Sequence, residues 1–144
     1  MGRAATATAA EAPVKFVLDT HVLLWWFEEH SLSAAHRRII RRATTIQPLW
    51  VSDITLWEIA MLLALARIRL RLPLREWLDR ATAAPLVMRH GISPAVAAET
   101  ASLPSTFPRD PADRIIVATA RVLGATLLTA DRRIVESGVV QTLS

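Results

Sequence analysis

The stretch DPADRIIVATARVLGATLLTAD, residues 110–131, reads as a helix followed at once by a strand. Asp110 is a preferred N-cap, and Pro111 suits the first helical position because its missing N–H would have no partner there. Apolar residues carry the helix to Leu123. Gly124 then stands where a left-handed residue is needed to end it. Thr126-Leu127-Leu128-Thr129 is short, apolar and β-branched at both ends, which predicts a buried strand. Asp131 follows and can cap a short helix to Ser137, with Val139-Val140 predicted as a last strand.

Outward from this unit the pattern repeats. Lys15-Phe16-Val17-Leu18 predicts a strand ending at Asp19, and Thr20 is read as the cap of a brief apolar helix to Phe27. Ser33 caps a helix to about Ala43 with its arginines on the wet side. Pro48–Val51 predicts a strand, and Ser52 or Asp53 caps a long apolar helix through Ala66. Arg67-Ile68-Arg69-Leu70-Arg71-Leu72 alternates at period two, Pro73 opens another helix, and Leu86-Val87-Met88 predicts a strand. Ser93-Pro94 starts a helix to about Ser102, and residues 103–109, with two prolines, form a loop. Strands alternating with helices predict an α/β fold: a parallel central sheet of four to five short strands with helices on both faces. Ligands are then expected beyond the carboxyl ends of the strands. Residues 14–144 read as one domain behind a flexible leader at 1–13.

Composition narrows the chemistry. In 144 residues, 52% are hydrophobic and 21% charged, which excludes disorder for the bulk of the chain. There is no cysteine, so disulfides, thiolate zinc sites and cysteine nucleophiles are excluded and a reducing compartment is favoured. The longest apolar run, Ile59–Ala66, is far below the roughly 20 residues that cross a bilayer, and the leader does not read as a signal peptide. A soluble cytoplasmic protein without membrane contact is expected. Seventeen basic residues against 13 acidic give +4, and Lys15 is the sole lysine. Arginine presents a flat, permanent charge suited to phosphates and carboxylates. Clusters at residues 37–42, 67–75 and 132–133 fit a nucleic-acid or acidic protein partner, and a solvated surface explains any one of them equally well.

Five acids fall where a parallel sheet would gather them. Asp19 ends a strand, Asp131 lies two residues past another, and Asp110 and Asp113 share the first turn of a helix. Helix capping alone accounts for those four. Glu58 resists that reading. It is the only charge between Asp53 and Arg67, and its helical neighbours Ile54, Trp57, Met61 and Leu62 are apolar. A shielded glutamate there needs a compensating cation or hydrogen bonds, unless Glu58 sits on a narrow wet stripe or pairs with a distant arginine. Converging carboxylates repel one another, and a hard divalent ion removes the conflict. His21, one turn into an apolar helix, is read as packed or hydrogen-bonded rather than as a base.

Three segments, VLDTHVLLWW, VSDITLWEIAML and FPRDPADRIIVATARVLGATLLTADRRI, with the four acids they carry, resemble the PIN-domain family, and within it the VapC-like toxin ribonucleases. The likeness spans residues 15–142, with the four acids 39, 55 and 18 positions apart in order. It implies that Asp19, Glu58, Asp113 and Asp131 hold Mg²⁺ or Mn²⁺ and carry catalysis. Asp110, in the DPxDR version of the third motif, is an added carboxylate or a cap. Thr20 and Thr129 match hydroxyl positions beside the ligands, although β-branched residues at strand ends are an equal explanation. The resemblance further implies an RNA substrate, metal-dependent phosphodiester hydrolysis, a cognate antitoxin with an acidic or apolar tail, and a homodimer. Arg67, Arg69, Arg71 and Arg114 are candidates to contact RNA or antitoxin. A haloacid-dehalogenase phosphatase would need a second aspartate where His21 stands. A receiver domain would need a late lysine. A non-catalytic PIN-like module is the alternative that remains.

Overall fold

The computed structural model describes residues 13–30 and 32–144, so all of the expected leader except Pro13 lies outside the described residues. Five strands form one sheet: β1 (Phe16–Leu18), β2 (Leu49–Ser52), β3 (Val87–His90), β4 (Thr126–Leu128) and β5 (Thr142–Leu143). Their order is β3-β2-β1-β4-β5 and every pairing is parallel. Seven helices connect them: α1 (Thr20–Phe27), α2 (Ala34–Arg41), α3 (Asp53–Ala64), α4 (Leu74–Ala81), α5 (Pro94–Ala101), α6 (Pro111–Leu123) and α7 (Arg132–Ser137). No helix among the described residues is long and apolar enough to cross a membrane.

The alternation of side chains along the strands splits the core in two. Leu18 and Leu128, opposite one another in the β1–β4 register, face a cluster with Val22, Leu23 and Trp77 from α1 and α4. Val17 and Leu127, one residue back, face Ile116, Val117 and Ala120 of α6 and Ile134 of α7. Each central strand is therefore buried on both faces, as its continuous apolar sequence requires. Helices cover both sides, as expected from the sequence.

Two local readings need correction, at the start of α1 and at the last strand. Asp19, not Thr20, caps α1: its carboxylate accepts the Thr20 N–H. The alternating Arg67–Leu72 segment pairs with no strand. Ala66 turns the chain with φ +57°, and Ile68, Leu70 and Leu72 then lie across the core under α4. An extended chain laid over a core has the same period as a strand. The last strand is Thr142–Leu143 rather than Val139-Val140. Those valines pack against the α6 side of the core, and pairing with β4 begins with the Leu127 N–H donating to the Gln141 carbonyl at 2.8 Å. Smaller differences are boundary shifts: α2 stops at Arg41, α3 at Ala64, and the third strand is Val87–His90.

Gly124 ends α6 at φ +63° with open space around the position of a Cβ, so conformation alone selects glycine there. Gly124→Ala should cost about 1 kcal/mol in urea unfolding, and Gly124→Asn less, because asparagine tolerates the left-handed region better.

Candidate functional site

The order of the sheet reverses between β1 and β4, and the crevice beyond their carboxyl ends is where such sheets bind ligands. Asp19 follows β1 directly, and its N–H continues the ladder to the Leu128 carbonyl at 2.9 Å. Its carboxylate is fixed twice: Oδ1 accepts the Thr20 N–H at 2.8 Å, and Oδ2 accepts the Thr129 hydroxyl at 2.6 Å. That hydroxyl also accepts the Asp131 N–H at 3.0 Å, so one buried threonine joins the ends of both strands.

Glu58 reaches the same place from α3. The Thr20 hydroxyl donates to its Oε1 at 2.5 Å and lies 3.1 Å from the Thr55 hydroxyl. A hydrogen bond from Thr20, and no arginine among the described residues, engages this glutamate. Asp110 caps α6 by accepting the Asp113 N–H at 3.1 Å, and Asp113 sits in that same first turn with its side chain largely buried. One carboxylate oxygen each from Glu58, Asp110 and Asp113 lies within 4.8 Å of the others. All five acids line one cleft of about 340 Å³ with His21, Arg67 and Arg133 among its walls. The four expected residues do converge, but the tightest group takes Asp110 in place of Asp19 and Asp131. Capping and convergence are compatible, since Asp19, Asp110 and Asp131 each cap a helix whose first turn opens on the cleft.

Crowding shows in the ionisation of these groups. Burial, reinforced by the negative charges of Asp110, Asp19, Glu58 and Asp131, pushes the Asp113 carboxyl up to about 7. Burial also raises Asp19, against the opposing hydrogen bonds from Thr129 and Thr20. Glu58 is raised by burial as well, with the Thr20 hydrogen bond working the other way. Asp131 moves down, because Arg133 hydrogen-bonds it. Five hard oxygen donors with surplus negative charge match the ligand preference of Mg²⁺ or Mn²⁺.

The arginines divide by role. Arg67 lines the cleft, and Arg69 is exposed beside it in sequence. Arg71 instead grips the end of α1, donating to the Phe27 carbonyl and to Glu29 Oε2 at 3.4 Å, with Glu28 3.7 Å away. Arg114 donates to the Phe107 and Pro108 carbonyls at 3.3 and 3.1 Å, holding the loop before α6. His21 is not packed away: it is exposed, with its ring 5.7 Å from Trp25. Arg133 was not among the expected site residues, although its spacing from Asp131, two positions into a helix start, places both side chains at that helix terminus.

The charge pattern has a consequence for stability. In the unfolded chain Asp113 ionises near 3.8, whereas the folded protein holds its proton to about 7. Between those values the unfolded state releases protons first, so stability falls as pH rises. In chelator, the melting temperature should drop as pH rises from about 4 to about 7, and Asp113→Asn should remove a large part of that drop.

Comparison with known proteins agrees with this architecture. Residues 16–138 match the PIN domain family. The chain is 44% identical over 119 residues to Ribonuclease VapC22 of Mycobacterium tuberculosis, covering 82% of this chain and 88% of that protein. Its fold is similar to VapBC2 from Rickettsia felis bound to a DNA fragment from their promoter, with TM-score 0.68 and 13% identity over 90% of this chain and 98% of that one. It is also similar to DNA-bound VapBC from Salmonella typhimurium, with TM-score 0.66 and 20% identity over 91% and 98% of the two chains. The family match covers well over half of the sequence, and the chain belongs to the PIN domain family.

Proposed function

We propose that this protein is a metal-dependent endoribonuclease and the toxin of a toxin–antitoxin pair. The observation that carries the reading is the convergence of Asp19, Glu58, Asp110, Asp113 and Asp131 on one cleft at the carboxyl edge of the sheet. The 44% identity to a ribonuclease supports RNA as the substrate. The likeness to VapBC assemblies supports a cognate antitoxin as partner. Exposed Trp57 on α3, Leu65 at its C-cap and Met88 on the edge strand β3 offer apolar area for the antitoxin or a second copy of the chain.

Asp19, Glu58 and Asp113 would hold the Mg²⁺ or Mn²⁺, with Asp110 completing the oxygen set and Asp131 bounding it. When bound, such an ion lowers the pKa of a water and stabilises negative charge developing on a phosphate. The chain's own groups do the positioning. Thr129 and the Thr20 N–H leave Asp19 no freedom to rotate, and the Thr20 hydroxyl aims Glu58. Asp110 orders the first turn of α6 beneath Asp113. Arg67 at the cleft wall, and Arg69 beside it, supply positive charge for the flanking phosphates of a bound strand. Arg71 and Arg114 support the frame instead.

Purified protein incubated with total RNA should cut it in Mg²⁺ or Mn²⁺ and not in chelator. Asp19→Asn keeps a cap acceptor but removes the charge, and should lower the rate by about 10²-fold or more. Glu58→Gln should behave alike. Cutting that persists equally in chelator and in both variants would overturn the assignment, and absence of any cutting would favour a non-catalytic binding module.

A further inference from the structure

Arg133 occupies the place that a cation bridging two of the acids would take. Its Nη2 lies 3.0 Å from Asp131 Oδ2 and 3.5 Å from Asp113 Oδ2, and its Nε donates to Asp131 Oδ1 at 3.3 Å. The backbone N–H of Arg133 holds the same Oδ1 at 2.9 Å. Both oxygens of Asp131 are thus engaged by one residue. Glu58 and Asp110 make no ion pair among the described residues, and Asp113 meets only the outer edge of this guanidinium. The arrangement is lopsided: Glu58 and Asp110 cluster with Asp113 on one side, and an arginine–aspartate pair closes the other.

Nucleases that use two ions place them about 3.5–4 Å apart, bridged by a shared carboxylate. Asp113 is the acid placed to be shared here, and its Arg133 side already faces a permanent positive charge. A guanidinium and a divalent ion cannot both sit within a few ångströms on the same carboxylate edge without strong repulsion. We propose that Arg133 is a built-in counter-cation that restricts the cleft to a single divalent ion, held on the Glu58–Asp110–Asp113 side next to Asp19, and keeps Asp131 out of that ion's ligand set. Arg133 is a positioning residue in this scheme. It does through the chain what a second ion does elsewhere, neutralising Asp131 and bounding the negative pocket. The inference rests on the metal-dependent reading above and adds the number of ions and the residue that sets it.

The test counts ions directly. Calorimetric titration of the full-length protein with Mn²⁺, with electron paramagnetic resonance of the bound ion, should give one site in the wild type. Arg133→Lys, which keeps the charge, should also bind one. Arg133→Gln should bind two Mn²⁺ ions, or bind the first about tenfold more tightly, because Asp131 is released to the ligand set. The side chain of Arg133 is 65% exposed, so neither change disturbs the core. Two ions in the wild type, or identical stoichiometry and affinity in wild type and Arg133→Gln, would overturn the role of Arg133 while leaving the metal-dependent nuclease intact. No Mn²⁺ binding in any of the three would overturn both.

Discussion

The hydrogen bond from the Thr129 hydroxyl to Asp19 is the contact on which the cleft depends. It joins residues 110 positions apart, at the ends of the two strands between which the sheet order reverses. Burying a carboxylate is costly unless its lone pairs are used, and Asp19 uses them on a backbone N–H and this hydroxyl. The hydroxyl in turn takes the Asp131 N–H, which starts α7 in register with α1. A chain that lost this link would have to expose Asp19 or leave it unsatisfied, and β1 and β4 would no longer deliver their acids to one point.

Like charges gathered so closely tend to push apart, and the fold resists this with groups it has to satisfy anyway. The first N–H groups of a helix have no intrahelical partners and carry partial positive charge. Here α1, α6 and α7 all begin at the cleft, and each is capped by an acid from it. Capping a helix and assembling an anionic site are one arrangement seen from two sides. What the caps do not neutralise appears in Glu58 and Asp113, whose carboxylates cap nothing and which both hold their protons above the usual range, Asp113 to about 7.

Most of the fold was legible because its signals are local. Gly124 after an apolar helix, Ser33 and Ser93 before helices, and the short β-branched run at Thr126 each depend on a few neighbouring residues. The misreadings also have local causes. The two valines at 139–140 follow the rules of a strand, yet tertiary packing decides whether a partner lies beside them. The acids could be proposed from strand ends and from the isolation of Glu58 in an apolar helix. Their distances could not, because they are set by which helix starts abut across the sheet. The closeness of Asp110 to Glu58 and the engagement of Asp131 by Arg133 are of that kind.

The excess of positive charge has the same lesson. A sequence with sixteen arginines and one lysine suggests a broad polyanion-binding face, but several guanidiniums are committed to the frame. Arg71 closes the end of α1 while Trp77 Nε1 holds Glu28 beside it at 2.8 Å, and Arg121 ties α6 to Glu99 of α5 at 2.7 Å and to the Val139 carbonyl. Arg114 anchors the loop that presents Asp110. Each needs several planar donors reaching carbonyls or carboxylates at fixed angles, which a lysine does not offer. Net charge therefore overstates the surface available to nucleic acid. Among the described residues Arg67 lines the cleft with its donors open, whereas those of Arg71 and Arg114 are taken by backbone carbonyls.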